Sequence, residues 1–337
     1  MNLVTLVRVT LVLSVFVILM GVYTRLSDAG LGCPDWPGCY GQLTVPSEAD
    51  IPKANMAFPE RAVEPHKAWL EMIHRYLAGT LGLMIFAISA ISIKQRIMGP
   101  KLPVLLSAVT VFQALLGMWT VTLKLLPIVV MGHLLGGFTI LACLSIMSWR
   151  LNQSREPIDH LSIPSSIRTL AVVAFVVVVF QVILGGWTSS NYAALMCSRL
   201  PICEGDWMSQ LNFAAAFDFL QSGHNNYEFG VLDYDARMTI HVSHRIGALV
   251  TAMAVLALAL QCINSLEPQL HGVGWRMVFA LFLQIALGVS NVLFHLPLGI
   301  AVAHNLGAAL LLVTVLHANF LLWQPNKEVA LGKESTQ

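Results

Sequence analysis

Charge is scarce in this sequence. Only 11% of its 337 residues are Asp, Glu, Lys or Arg, and 19 basic residues nearly cancel 18 acidic ones, leaving a formal net charge of +1. So little polar surface cannot cover a soluble globule of this size. A near-neutral chain without a basic stretch also has no electrostatic footprint for nucleic acid. The N-terminal region lacks both a small-x-small cleavage site and the Arg- and Ser-rich composition of an import sequence. The apolar run Leu3 to Tyr23, interrupted by Arg8, is therefore expected to remain as a helix, and a bacterial plasma membrane is expected rather than organelle import. Cysteine is sparse too, with six residues in all.

What the sequence has in abundance is apolar length. Hydrophobic residues make up 56% of the chain and the mean hydropathy is +0.72. Apolar stretches at 3–24, 68–93, 102–124, 127–149, 167–188, 237–263, 273–294 and 298–323 are each long enough to cross a hydrocarbon core, which takes about 20 helical residues. Backbone groups in lipid must be satisfied internally, which makes such spans helices. The expected fold is an all-α integral membrane protein of eight transmembrane helices. Prolines mark tight turns at Lys124 to Pro127 and His295 to Pro297.

Basic residues near the helix ends (Lys94, Arg96, Lys101, Arg150, Arg155, Arg168, Arg276) place their loops in the cytoplasm. The long loops 25–67 and 189–236 carry most of the acids and fall outside, so both termini are expected to be cytoplasmic. Within the second long loop, Asp206 to Gln221 is expected to form a helix on the outer interface.

The chain repeats itself. Gly21-Val-Tyr-Thr24 followed by Cys33 and Cys39 matches Gly185-Gly-Trp-Thr188 followed by Cys197 and Cys203, and Gln113-Ala-Leu-Leu-Gly117 matches Gln284-Ile-Ala-Leu-Gly288. Glu71-Met-Ile-His74-Arg75 matches His241-Val-Ser-His244-Arg245, and Gly132-His133-Leu-Leu-Gly136 matches Ala303-His304-Asn-Leu-Gly307. The expected organisation is two repeated four-helix bundles, residues 1–150 and 167–323, related by a pseudo-two-fold along the membrane normal. A linker at 151–166 and a tail at 324–337 complete the chain.

His74, His133, His244 and His304 sit on even-numbered spans at a common depth, each six or seven residues from the outer end, roughly 10 Å at 1.5 Å per residue. Imidazoles inside a membrane are costly and turn inward. Two at one depth on different helices of a bundle can ligate both faces of one iron porphyrin. Zinc is a poorer fit, because no third or fourth ligand is spaced with them. Glycines one turn away (Gly79, Gly82, Gly136, Gly137, Gly247, Gly307) are expected to make room for a flat macrocycle.

Arg75 and Arg245, and with them His241, are candidates for pairing a propionate, the alternative for the arginines being headgroup snorkelling. His66, His160, His224, His271, His295 and His317 read as surface or structural. The outer cysteines, Cys33 with Cys39 and Cys197 with Cys203, have identical spacing and read as two disulfides in an oxidising compartment. A redox or haem-handling role for the first pair stays open. Cys143 and Cys262 read as small core residues.

The halves differ at one place. Glu71 lies on the face of His74, where the second half has His241. A carboxylate there can move a proton or stabilise a cation beside a porphyrin, or simply bond an arginine.

These residues are where the chain resembles the haem A synthase family. The carriers are Gly21-Val-Tyr-Thr-Arg-Leu-Ser-Asp-Ala-Gly-Leu-Gly-Cys33-Pro-Asp-Trp-Pro-Gly-Cys39, Glu71-x-x-His74-Arg75, Gly132-His133, His244-Arg245 and His304-Asn305, spanning nearly the whole chain. The resemblance implies a haem B held between His244 and His304 and the substrate haem O held by His74 and His133. Glu71 would assist successive hydroxylations of the C8 methyl to the formyl of haem A, for terminal oxidase assembly. A haem O synthase and a membrane electron acceptor are the implied partners, and a homo-oligomer is left open. Two other classes compete: a dihaem b-type cytochrome in quinol electron transfer, and a haem transport or chaperone protein.

Overall fold

The computed structural model describes residues 2–152 and 165–324. Arg155 and His160, most of the expected linker and nearly all of the expected tail lie outside these residues. Among the described residues every element is helical, and eight helices are long and apolar enough to cross a membrane. They are α1 (Leu3–Leu26), α3 (Pro65–Lys94), α4 (Lys101–Thr122), α5 (Pro127–Leu151), α6 (Ser165–Ser190), α8 (Tyr234–Ile263), α9 (Pro268–Leu293) and α10 (Leu298–Leu322). Two short helices, α2 (Ile51–Ala57) and α7 (Phe213–Ala216), lie in the long loops.

Three helices begin three to five residues earlier than hydropathy places them. Pro65 and Pro268 open α3 and α9 at first-turn positions, where the missing N–H is one the helix could not have used. Asp233 caps α8 by accepting from Ala236 N at 2.9 Å. The apolar stretch misses these turns because they are polar.

The two tight connections are built alike. Lys124 and Leu125 have φ of 46° and 63°, and His295 and Leu296 have φ of 56° and 62°. Leu125 N donates to Thr120 O at 2.8 Å and Leu296 N to Asn291 O at 2.7 Å, which returns the chain onto the last turn of the helix it has just left. Proline then starts α5 and caps α10.

α1 packs on α3 and α5, and α6 packs on α8 and α10. One apolar cluster joins α6, α8, α9 and α10, with Phe138 and Leu141 of α5 at its border; a second joins α1, α3, α4 and α5. Cys262 belongs to the first and Cys143 to the second, both buried, as small core residues. The helices of the first cluster meet those of the second where α5 touches α6 and where α10 touches α1 and α5.

The segment Asp206 to Gln221 does not form the expected interfacial helix. Only Phe213–Ala216 is helical. Asn212 caps it through Ala215 N, and Asp218 ends it by accepting from Leu220 N and Gln221 N. The buried Trp187 donates to Ala216 O at 2.8 Å, so the segment is moored to the top of α6. Each long loop also reaches across the molecule. Arg61 donates to Glu228 at 2.8 and 3.2 Å, Tyr227 N to Lys124 O at 3.0 Å, and Arg25 to the Tyr192 hydroxyl at 2.9 Å.

Candidate functional site

α3, α5, α8 and α10 bring His74, His133, His244 and His304 into the interior. The rings of His74 and His133 face each other with centroids 6.4 Å apart and planes at 80°. Two metal–nitrogen bonds of about 2 Å, plus the distance from nitrogen to centre in each ring, span about 6 Å. The separation is that of two imidazoles on opposite sides of one metal ion.

Three further observations fit a porphyrin. A cavity of about 800 Å³ is lined by His74, His133, Glu71, Gly21 and Gly117, within the roughly 300–1,000 Å³ usual for small-molecule and cofactor sites. The rings of His74, His133 and His304 are held toward the main chain of Val17, Gln113 and Gln284, each four residues before the glycine beneath the ring, the kind of support a ligating histidine has. Each ring also edges onto a glycine of the helix before it, so that a Cβ on Gly21, Gly117, Gly185 or Gly288 would lie 2.7, 3.2, 3.2 or 3.0 Å from the Cε1 of His74, His133, His244 or His304. Among the glycines expected to make room for a macrocycle, Gly79, Gly82 and Gly137 do line the cavity. Gly136, Gly247 and Gly307 instead admit the side chains of Gln113, Gln181 and Gln284.

Glu71 is buried on the cavity wall at 5% exposure and is held from two directions. Cys33 N donates to its Oε2 at 2.8 Å, and Arg75, one turn along α3, donates to its Oε1. His241 stands in the same place in the second half: Cys197 N lies 3.2 Å from its Nδ1 and Arg245 Nε 3.1 Å from its Nε2, and the ring's one bare nitrogen accepts from one of the two. Glu71 and His241 are thus unlike residues in one structural role, the acceptor that joins a disulfide loop to a membrane helix.

Arg75 and Arg245 complete these latches. Arg75 Nη1 donates to the carbonyls of Asp35 (2.9 Å), Pro37 (3.2 Å) and Gly38. Arg245 donates to the carbonyls of Cys197, Arg199 and Ile202 at 2.6–2.7 Å. Without a porphyrin, these guanidiniums clamp the loops above the histidine layer. The Cys33–Cys39 and Cys197–Cys203 disulfides are formed, each closing a loop of the same span.

The loops are stiffened further. Tyr40 donates to Ala62 O at 3.1 Å, and burial, opposed by Arg61, pushes its phenol up to about 12. Burial would raise the Glu204 carboxyl, but the amides of Arg199 and Ser198 outweigh it and hold the pKa at about 2.

His271 and His317 are engaged elsewhere: His271 is bonded to Ile263 O at 2.7 Å, and His317 stacks on Trp149 at 4.4 Å. Gln181 was not singled out by the sequence, yet its amide lies 3.0 Å from His244 Nδ1. Its signal is the spacing Gln181 to Gly185, the same as Gln113 to Gly117.

Comparison with known proteins agrees with this geometry. The profile of the COX15-CtaA family, described as cytochrome oxidase assembly protein, matches residues 4–316. The chain is 52% identical to the heme A synthase of Shewanella oneidensis over 331 residues, covering 98% of this chain and 99% of that one. It is 28% identical to the heme A synthase of Wolbachia pipientis subsp. Culex pipiens over 312 residues (85% and 87% covered) and 26% identical to that of Caulobacter vibrioides over 319 (88% of each). A match over nearly the whole length, with the histidine pair and both disulfide loops in place, means that the chain belongs to the COX15-CtaA family of cytochrome oxidase assembly proteins.

Proposed function

We propose that this protein is a haem A synthase, an oxidoreductase that converts the C8 methyl of haem O to the formyl group of haem A by successive hydroxylations. The observation that carries the reading is the facing of His74 and His133 at 6.4 Å across a cavity with Glu71 on its wall. The Shewanella oneidensis heme A synthase, which matches 98% of this chain, points the same way.

In this reading His74 and His133 hold the substrate and fix the height of its ring against Glu71. The glycines beneath the imidazoles let the rings sit close to their helices and leave the ring nitrogens free to ligate. The cavity wall is mostly apolar, with Leu83, Phe86, Val111 and Leu115 of α3 and α4 both lining it and exposed on the outer surface of the bundle. An isoprenoid substituent can therefore stay in lipid while the porphyrin enters. Glu71 moves or stabilises charge at the reacting carbon, and its bonds to Arg75 and Cys33 N keep the carboxylate aimed.

His244 and His304 would hold a resident haem B, which when bound supplies a route for electrons out of the substrate site. Gln181 then holds His244 in place, its Nε2 donating to His244 O and lying 3.0 Å from the ring Nδ1. Arg75, Arg245 and His241 stand beside the expected propionate positions, with their donors already engaged by the loops.

The two four-helix units are read as copies about an axis along the membrane normal. Both termini face the cytoplasm of a bacterial plasma membrane, with the histidine layer near the outer face, where both disulfides meet an oxidising compartment. A haem O synthase upstream and a membrane electron acceptor downstream complete the path.

The test is co-expression with a haem O-producing enzyme in a host lacking haem A, followed by extraction and mass spectrometry of the haems. Haem A or its hydroxylated precursor is expected from the wild type and not from Glu71→Gln or His74→Ala. Haem B alone, unchanged by Glu71→Gln, would refute the reading in favour of a dihaem cytochrome.

A further inference from the structure

Three of the four layer histidines share a side-chain device that the fourth lacks. Four residues before Gly117, Gly185 and Gly288, the glycines beneath His133, His244 and His304, stand Gln113, Gln181 and Gln284. Each amide reaches its histidine residue: Gln113 Nε2 donates to His133 O at 2.7 Å, Gln181 Nε2 lies 3.0 Å from both His244 Nδ1 and His244 O, and Gln284 Nε2 is 3.5 Å from His304 Nε2. Each fits only because the residue three beyond the histidine is glycine. A Cβ on Gly136, Gly247 or Gly307 would come within 2.0, 2.3 or 2.2 Å of the glutamine Oε1. In all three cases that Oε1 is buried with no partner.

At His74 both halves of the device are absent. Val17 occupies the place of the glutamine, four residues before Gly21, and Leu77 that of the receiving glycine. Glutamine and glycine are complementary in shape, and here they have been replaced together by two apolar side chains. The His74 ring keeps the main-chain contact with residue 17 that His133 and His304 make with Gln113 and Gln284, but it has no side-chain amide beside it.

Groups that orient a ligating histidine typically change metal affinity by about 10- to 100-fold. A resident group needs two held ligands, whereas a substrate that must enter and leave as product needs one that lets go. We infer that His74 is the exchangeable axial ligand of the substrate porphyrin and His133 the fixed one, with Val17 and Leu77 making the difference. In the exchange the bond between the His74 nitrogen and the iron breaks, its electron pair stays on the imidazole, and His133 keeps the porphyrin in place. Val17 and Leu77 are positioning residues. The inference rests on the reading of the first half as the haem O site.

The experiment uses full-length protein in lipid nanodiscs, loaded after purification with ferric haem O under argon and without an electron acceptor so that it is not oxidised, and compares the wild type with His74→Ala, His133→Ala and the double variant Val17→Gln, Leu77→Gly. Three quantities are read: retained haem O, carbon monoxide binding to the reduced protein, and the rate of haem O transfer to apomyoglobin. Haem B content reports folding in every sample. His74→Ala is expected to keep most of its haem O in a form that binds carbon monoxide, and His133→Ala to lose it. The double variant is expected to release haem O at least about tenfold more slowly than the wild type and to bind less carbon monoxide.

Equal loss of haem O from the two alanine variants would overturn the inference, as would wild-type release from a double variant with normal haem B. Should the double variant lose haem B, the two alanine variants decide alone. Haem O content unaffected by His133→Ala as well as His74→Ala would show instead that the first half is not the haem O site, and the inference falls with that reading.

Discussion

Replacing Glu71 by histidine separates the two jobs this carboxylate is placed to do. Glu71 accepts from the buried Cys33 N–H and from Arg75, whereas His241, standing between Cys197 N and Arg245 Nε, has one bare nitrogen to accept from one of the two. Glu71→Ala strands the Cys33 amide, at about 1–3 kcal/mol, and removes a charge-assisted bond worth about 1.5–3 kcal/mol, for a loss of about 3–5 kcal/mol. Glu71→His restores one acceptor, in the form the second half already uses, and leaves the charge-assisted bond unmade, a loss of about 1.5–3 kcal/mol. At about 2–4 °C per kcal/mol, the histidine variant should melt ~3 °C or more above the alanine variant when unfolding is followed in detergent. Haem A formation should nevertheless fall by about a hundredfold or more in both, because neither supplies a carboxylate. Near wild-type turnover by Glu71→His would show that Glu71 is a structural latch and nothing else. A histidine variant that melts with the alanine variant would show that the two latches are not equivalent.

Other perturbations reach other parts of the molecule. Gly307→Ala places a Cβ 2.2 Å from Gln284 Oε1; it should displace that amide at a cost of about 1–3 kcal/mol and lower haem B content while haem O binding persists, both measurable after extraction. Cys33 and Cys39 are fully buried whereas Cys203 is partly exposed, so a membrane-impermeant phosphine should reduce Cys197–Cys203 first, seen as earlier alkylation of Cys203 by peptide mass spectrometry. Glu204, held at about 2 by the amides of Ser198 and Arg199, has a folded pKa below its unfolded one. Its contribution to loop order is therefore complete above the ordinary carboxylate range and is lost as pH falls toward 2. Hydrogen exchange at Ser198 and Arg199 should accelerate through that window in the wild type and be fast and pH-insensitive, after correction for intrinsic rates, in Glu204→Gln.

The spans were legible because lipid leaves apolar length as the dominant signal, and the turns because Pro127 and Pro297 punctuate it. The histidine layer was legible because the repeat set His74 against His244 and His133 against His304. The arginines were harder to read. Arg75 and Arg245 find their acceptors in irregular loops about forty residues away in sequence, and no periodicity places those carbonyls. The apolar residues of Asp206 to Gln221 suggested a helix, but two side-chain caps confine it to one turn. Gln113 and Gln284 stood in the matched segments without a meaning, because only side-chain packing shows that a glutamine on one helix fills the space above a glycine on the next.

The four-residue links between α4 and α5 and between α9 and α10 bear on how the protein is made. With Lys124 and Leu125, or His295 and Leu296, folding each link back on its helix, the two arms are too closely tethered to enter the bilayer as independent segments. Each pair is a hairpin that carries a histidine on its second arm and, on its first, the glycine and glutamine that receive it. His133 and His304 can therefore reach their final surroundings as soon as their own hairpin closes during synthesis. His74 and His244 depend on helices joined through a long loop, and on the disulfide that this loop carries. Biogenesis thus divides each histidine pair into an early member and a late one, and disulfide formation in the long loops governs when the second arrives.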